Sequence, residues 1–215
     1  MITVHHLNHS RSQRVLWMLE ELEVPYEIKR YERDPKTQLA PKSLEAVHPL
    51  GKSPVVTDGD ATIAESGAIL EYLVETYGKA RMVPKAGTPE YRDYRYFMHY
   101  AEGSLMPFLV LALIVGRMRK APFIVRPVAK AIANQLSSAY LDPNLRRHIA
   151  FIEAHLAKQP WFAGDKMSVA DIQMSYACES IMNRATHLGS TMRIAAYLER
   201  CRSRPAYQRA LEKGG

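Results

Sequence analysis

The chain has 215 residues, 47% of them apolar and 24% charged, with a net charge of +7; this is an ordinary globular composition with enough apolar side chains for a packed core. Its longest apolar run, "LMPFLVLALIVG" at 105–116, covers 12 residues and contains Pro107. That is short of the roughly 20 residues that cross a bilayer, so the run reads as a buried helix and no membrane partner is expected.

The first residues, "MITVHHLNHS", form an apolar strand-like run with no signal-peptide pattern. Cys178 and Cys201 are too few and too far apart for a disulfide framework or a metal-ligand spacing. No metal is expected, and a reducing cytoplasm fits. Next, "SQRVLWMLEELE" at 12–23 places Val15, Leu16, Leu19 and Leu22 on one helical face, and "PYEIKRYE" alternates as a second strand. A polar stretch with a helical piece near "PKSLEAV" leads to "PVVT" and "ATIA" flanking "DGD", a hairpin signal. "ESGAILEYLVETYG" then spaces Ile69, Leu70, Leu73, Val74 and Tyr77 as one helical face ending at Gly78. The order is β-α-β-α-β-β-α.

Strand signals stop after "GKARMVPKAGTPE", where Thr88-Pro89-Glu90 is a helix start with Thr as cap and Pro at the first position. Helical patterns follow at about 89–118 and 122–157, then at 168–184, 190–203 and 205–213. The predicted division is an α/β domain over 1–80, a linker over 81–88 and an all-α domain over 89–215. Charge divides there as well. Residues 1–80 hold nine Lys/Arg against twelve Asp/Glu, and 81–215 hold twenty against ten. The cations are dispersed apart from the small cluster "ERCRSRPAYQR", and no nucleic-acid motif accompanies them. They read as solvated helix faces that attract small anionic substrates at most, and no nucleic-acid partner is expected.

Three stretches carry more than periodicity. In "HPLGKSPVV" a proline enters a strand, which it can do only at the strand's first residue or in a special turn; taken alone, Pro54 reads as trans, since cis bonds are about 5–6% of X-Pro bonds. "IAESGAILEYL" opens a helix with Glu65-Ser66, whose free N–H groups and positive dipole end suit a carboxylate, although a plain helix cap is the commoner use of such residues. "GDKMSVADI" places Ser168 three residues before Asp171 as a capping box, with Met167 and Ile172 as a hydrophobic staple.

In their order and spacing, over residue 2 to about 205, these stretches resemble the cytosolic glutathione S-transferases of the serine type in a microbial branch. The resemblance implies a thioredoxin-like α/β N-terminal domain followed by an all-α C-terminal domain. It implies an enzyme that activates the glutathione thiol against small hydrophobic electrophiles, a detoxification chemistry. Glutathione is then a co-substrate, there is no further cofactor, and the chain is a homodimer. By the same resemblance Pro54 is cis and frees the backbone before it for the cysteinyl unit of glutathione. Glu65 receives the tripeptide's amino group and Ser66 its α-carboxylate, while Lys52 and Ser53 lie where the family makes further contacts. Ala40 stands where some serine-type classes place a His, which leaves the glycyl carboxylate to Lys52, with Gln38 or His48 as substitutes.

"NHSRSQRVLW" holds the predicted thiol donor. A thiol near pKa 8.5 is only a few per cent ionised at neutral pH, so each unit of depression needs about 1.4 kcal/mol of selective stabilisation. The serine-type pattern, a hydroxyl four residues before a helical Arg, selects Ser10 from Arg14, with Ser12 in reserve and His9 as a bystander. Ser10-Arg11-Ser12-Gln13 is also a capping-box pattern, so Ser10 is expected to cap the helix as well. Arg11 adds positive potential beside it. The resemblance also places an electrophile pocket along "YAEGSLMPFLVL", at Tyr100, Ser104, Met106 and Phe108, although Met and Phe at that spacing equally suit a plain core. The competing reading is a non-catalytic member of the same fold that binds glutathione or apolar ligands.

Overall fold

The computed structural model describes the chain except residues 9, 38, 80 and 215. The N-terminal half runs β1 (Ile2–Leu7), α1 (Gln13–Leu22), β2 (Tyr26–Tyr31), α2 (Lys42–Glu45), β3 (Val55–Asp58), β4 (Ala61–Ala64) and α3 (Ser66–Tyr77). These strands form one sheet in the order β2-β1-β3-β4, with β1 parallel to β2 and antiparallel to β3. The predicted hairpin closes where Asp58 pairs with Ala61. Gly59 takes φ +57 there, a left-handed turn position at which a side chain would be strained. One face of β1 buries Ile2 and Val4 against α1 and α3, and the other buries Leu7 with Tyr31 and Leu44.

The helical half comprises α4 (Pro89–Tyr100), α5 (Met106–Met118), α6 (Arg126–Leu136), α7 (Asp142–Leu156), α8 (Val169–Arg184), α9 (Met192–Arg202) and α10 (Pro205–Gly214). Each of the two long helical patterns is broken by a π-turn, at Ala101–Leu105 and Ser137–Leu141. Both turns precede a proline, Pro107 and Pro143. A proline ring clashes with the carbonyl four residues back, and the wider turn relieves that clash. Pro89–Met118 together has the length and apolarity of a membrane span, yet Met106, Leu109 and Val115 belong to the common core. The expectation of a buried apolar run at 105–116 holds for that face only. Val110, Leu113 and Ile114 are exposed.

The core helix α8 begins as the sequence predicts. Asp171, fully buried, accepts hydrogen bonds from the Ser168 N–H (2.8 Å), the Ser168 hydroxyl (3.0 Å) and the Phe162 N–H (2.8 Å). Burial pushes its carboxyl up to about 6, against the pull of those three donors. Asp171→Ala is therefore expected to lower stability by about 2–4 kcal/mol, because it leaves three buried donors unpaired at a helix start. A denaturant titration reads this as a lower midpoint.

The dispersed cations are not all solvated faces. Arg204 pairs with Glu21 at 2.5 Å, while Arg209 at 2.7 Å and Lys213 at 2.5 Å converge on Glu20. Arg30 of β2 donates to the backbone carbonyls of Lys213 and Gly214. Basic α10 is thus strapped along acidic α1, which accounts for part of the opposite charge of the two halves. Burial tends to raise the Glu20 carboxyl, but hydrogen bonds from Lys213, Arg209 and Tyr26 outweigh it and hold the group below its ordinary value.

Candidate active site

The site lies where β1 hands the chain to α1, opposite the start of β3 and the start of α3. The Ser53–Pro54 bond is cis, as the resemblance implies and the unaided reading of Pro54 does not. Ser53 and Pro54, with Arg11, Lys52, Glu65 and Ser66, line a cleft of about 120 Å³ that His48, Leu50 and Glu102 complete. Six predicted glutathione contacts therefore meet in one place. His9 and Gln38 lie outside the described residues.

Ser10 is not itself among the residues lining this cleft; it lies half-buried beside it, next to Arg11 in the chain, with its hydroxyl 3.2 Å from that of Ser53 and 2.7 Å from that of Ser12. It accepts the N–H of Ser12 at 3.3 Å, a turn made by a serine with the amide two residues on. The predicted capping box does not form. The helix starts at Gln13 with Ser12 as its flanking residue, and neither polar atom of the Gln13 side chain has a partner among the described residues. Ser12 is fully buried, with its hydroxyl 2.8 Å from Nδ1 of His6, so it faces the protein interior, whereas Ser10 is half-buried beside the cleft-lining Ser53. Burial and then Arg30 hold the His6 ring below its ordinary value. His5, on the other face of the strand, is satisfied by Tyr31 and Thr57.

Glu65 stands at the entry to α3 with φ +72, a left-handed conformation costing about 1–3 kcal/mol in a residue with a side chain. Its exposed carboxylate stands on the cleft wall. Ser66 is the first residue of α3, so its N–H has no partner within the helix. Its hydroxyl oxygen accepts Arg14 Nη2 at 3.0 Å, which leaves the hydroxyl proton free to point at a ligand.

Sequence reasoning treats Arg14 only as the marker that selects Ser10, and it does not find Glu102 or Gln173. Arg14, 2% exposed, donates to Ser66, to Glu102 Oε1 at 2.6 Å, and to both the backbone and side-chain oxygens of Gln173 at 2.7 and 3.0 Å. It ties α1 to α3, to the π-turn after α4, and to α8. Glu102 also pairs with Arg11 at 3.5 Å. The available signal is a charged or amide residue on an otherwise apolar helical face, Arg14 before "VLWML" and Gln173 after "VADI".

The four predicted electrophile-pocket residues do not gather at this cleft. Met106 is buried in the core, Tyr100 and Ser104 line a separate groove with Tyr96 and His99, and Phe108 packs on Tyr140 and His148. Tyr100 and Phe108 share His148, whose Nδ1 lies 2.6 Å from the Tyr100 hydroxyl. A larger cavity of about 540 Å³ between the linker and the start of α8 contains none of the predicted residues.

The chain is similar to known proteins over nearly its whole length. Residues 1–75 match the family profile described as glutathione S-transferase, N-terminal domain, and residues 120–214 match that of the glutathione S-transferase C-terminal domain. The chain is 36% identical over 214 residues to glutathione S-transferase 3 of Schizosaccharomyces pombe, covering 99% of this chain and 88% of that protein. It is 32% identical to glutathione S-transferase 1 of Saccharomyces cerevisiae, over 86% of this chain and 82% of that one. A solved glutathione S-transferase from Actinobacillus pleuropneumoniae shares the fold at a TM-score of 0.80 and 30% identity, over 100% of this chain and 93% of that structure. With both family profiles matched and near full-length relatives above 30% identity, the chain belongs to the glutathione S-transferase family.

Proposed function

We propose that this protein conjugates glutathione to small hydrophobic electrophiles, with the Ser10 hydroxyl holding the thiol as its thiolate. The observation that carries this reading is the half-buried Ser10 hydroxyl lying 3.2 Å from that of Ser53, which with Arg11, Lys52, Pro54, Glu65 and Ser66 lines a cleft that suits a tripeptide. Residues 1–80 form the glutathione-binding unit and 89–215 the helical unit that meets the electrophile. Glu65 takes the amino group of the γ-glutamyl end. The N–H and hydroxyl of Ser66 take its α-carboxylate. The backbone of Ser53 before Pro54 pairs with the cysteinyl unit, and Lys52, with His48 beside it, receives the glycyl carboxylate. Arg11 adds positive potential near the sulfur. The thiolate forms a C–S bond with the electrophile and the leaving group departs with its electron pair. Glutathione serves as co-substrate with no further cofactor, and the active form is a cytoplasmic homodimer.

Retention on immobilised glutathione, together with turnover of a generic aromatic electrophile, tests this reading. Retention without turnover would assign the fold to ligand binding alone. Glu65→Ala is expected to raise KM for glutathione about 10- to 100-fold, since a charge-assisted hydrogen bond is worth about 1.5–3 kcal/mol, with kcat changed only a few-fold. Steady-state kinetics with glutathione varied would show it; an unchanged KM removes Glu65 from the site.

A further inference from the structure

Behind Ser10 runs a chain of hydrogen bonds that the conjugation reaction as described does not use. Ser10 Oγ meets Ser12 Oγ at 2.7 Å, and Ser12 Oγ meets His6 Nδ1 at 2.8 Å. Ser12 is 0% exposed and His6 5%, so among the described residues the chain is least buried at Ser10, beside the cleft. Ser53 cannot serve as its far end. Its hydroxyl donates its one proton to the His5 carbonyl at 3.0 Å and accepts the Leu7 N–H at 3.3 Å, so it has no proton to give Ser10, and a neutral hydroxyl is too weak a base to keep the thiol proton. Hydroxyls carry one proton each, so the order of donation follows from the end group. With Nδ1 of a neutral His6 accepting, Ser12 donates to His6 and Ser10 donates to Ser12. A thiol entering the cleft then finds a lone pair on Ser10 Oγ.

We propose that His6 is the acceptor of the glutathione thiol proton, reached through the hydroxyls of Ser10 and Ser12. The inference rests on the reading of Ser10 given above. In the step, the S–H bond breaks and its proton joins Ser10 Oγ. The former Ser10 proton passes to Ser12 Oγ, and the former Ser12 proton forms an N–H bond at His6 Nδ1. The products are a thiolate that accepts a hydrogen bond from Ser10, and an imidazolium that donates to Ser12. Both hydroxyls end neutral with their hydrogen bonds reversed, and no other reactant is consumed. His6 acts through other groups and is a positioning residue that also stores the proton.

The surroundings fit a base that is empty at rest. Arg30, the residue paired with His6 across β1 and β2, repels a second charge, Ser12 faces the ring from α1, and the backbone of Gly214 at the end of α10 favours the charged ring through a hydrogen bond. Burial and then Arg30 hold the ring below its ordinary value, which disfavours its charged form in the free protein. The thiolate supplies the negative charge that offsets Arg30 once glutathione is bound.

The test counts protons. Calorimetry of glutathione binding near neutral pH, in buffers of different ionisation enthalpy, should show almost no proton released by the unaltered protein, because the thiol proton remains on His6. In His6→Gln the amide oxygen still accepts from Ser12 but cannot take up the proton, so the chain stays connected. The apparent pKa for thiolate formation then rises by about one unit, kcat/KM at neutral pH falls about tenfold, and each thiolate that does form, counted by its ultraviolet absorbance, releases one proton to buffer instead of nearly none. Ser12→Ala cuts the same chain and should reproduce this. Nitrogen chemical shifts of His6 in the unaltered protein should move to imidazolium values when glutathione binds. Equal proton release per thiolate formed in the unaltered protein and His6→Gln, or a ring that stays neutral in the complex, overturns the relay. If Ser10→Ala leaves thiol ionisation untouched, the reading of Ser10 itself is what fails.

Discussion

Ser10→Ala is expected to lower kcat/KM for conjugation about 10- to 100-fold at neutral pH, with the loss shrinking as the pH rises past the free thiol's pKa. A hydrogen bond to an ionised acceptor is worth about 1.5–3 kcal/mol, which is one to two units of thiol pKa, and at neutral pH each unit removes about nine-tenths of the thiolate. Raising the pH restores the nucleophile without the serine, so the unaltered and variant profiles should converge under alkaline conditions. Stability should change little, because the Ser10 side chain is half-buried at a helix start and the predicted capping box is not formed there. A loss that stays constant across the pH range would place Ser10 in positioning rather than ionisation.

The second large effect is expected at Arg14. Arg14→Ala removes the buried guanidinium that Ser66, Glu102 and Gln173 share. Removing one partner of a buried pair costs about 3–5 kcal/mol, because the remaining groups lose their compensation. Denaturant unfolding should show a loss of that order. KM for glutathione should rise too, since Ser66 loses the donor that turns its hydroxyl proton to the cleft. Arg14→Lys retains the charge but not the planar fork, and should recover only part of either quantity. Full recovery by lysine would mean that charge alone matters at this position.

Much of this was readable before any coordinates. The period-2 and period-3.6 patterns give the β-α-β-α-β-β-α order, "DGD" gives the hairpin, and the Ser168–Asp171 spacing gives the start of α8. All are local, set by residues within one turn or one strand pair. The cis form of Pro54 came from resemblance, because the isomer depends on tertiary surroundings that a single sequence does not display. The Arg14 clamp was out of reach for a similar reason: its partners lie 52, 88 and 159 positions along the chain.

The electrophile pocket shows a different limit. The resemblance places Tyr100, Ser104, Met106 and Phe108 along one pocket, but a π-turn at Ala101–Leu105 lies among them. An extra residue in a turn rotates everything after it by about 100°. Glu102, inside that turn, lines the cleft, Tyr100 and Ser104 share a separate groove, and Phe108, beyond the turn, packs on Tyr140 and His148. The C-terminal charges show a third limit. Arg204, Arg209 and Lys213 read as solvated in a helix taken alone, and find Glu20 and Glu21 only because α10 packs along α1.

The central claim is that Ser10, and not Ser12, faces the sulfur. The measurement that addresses it most directly is the pH titration of ultraviolet thiolate absorbance for glutathione bound to the unaltered protein, to Ser10→Ala and to Ser12→Ala. The expected result is a bound thiol with a pKa clearly below 8.5 in the unaltered protein, back to about that value or above in Ser10→Ala, and shifted by a smaller amount in Ser12→Ala. A titration in which Ser10→Ala matches the unaltered protein and only Ser12→Ala raises the pKa would contradict the account, and would move the thiol contact two residues along the chain.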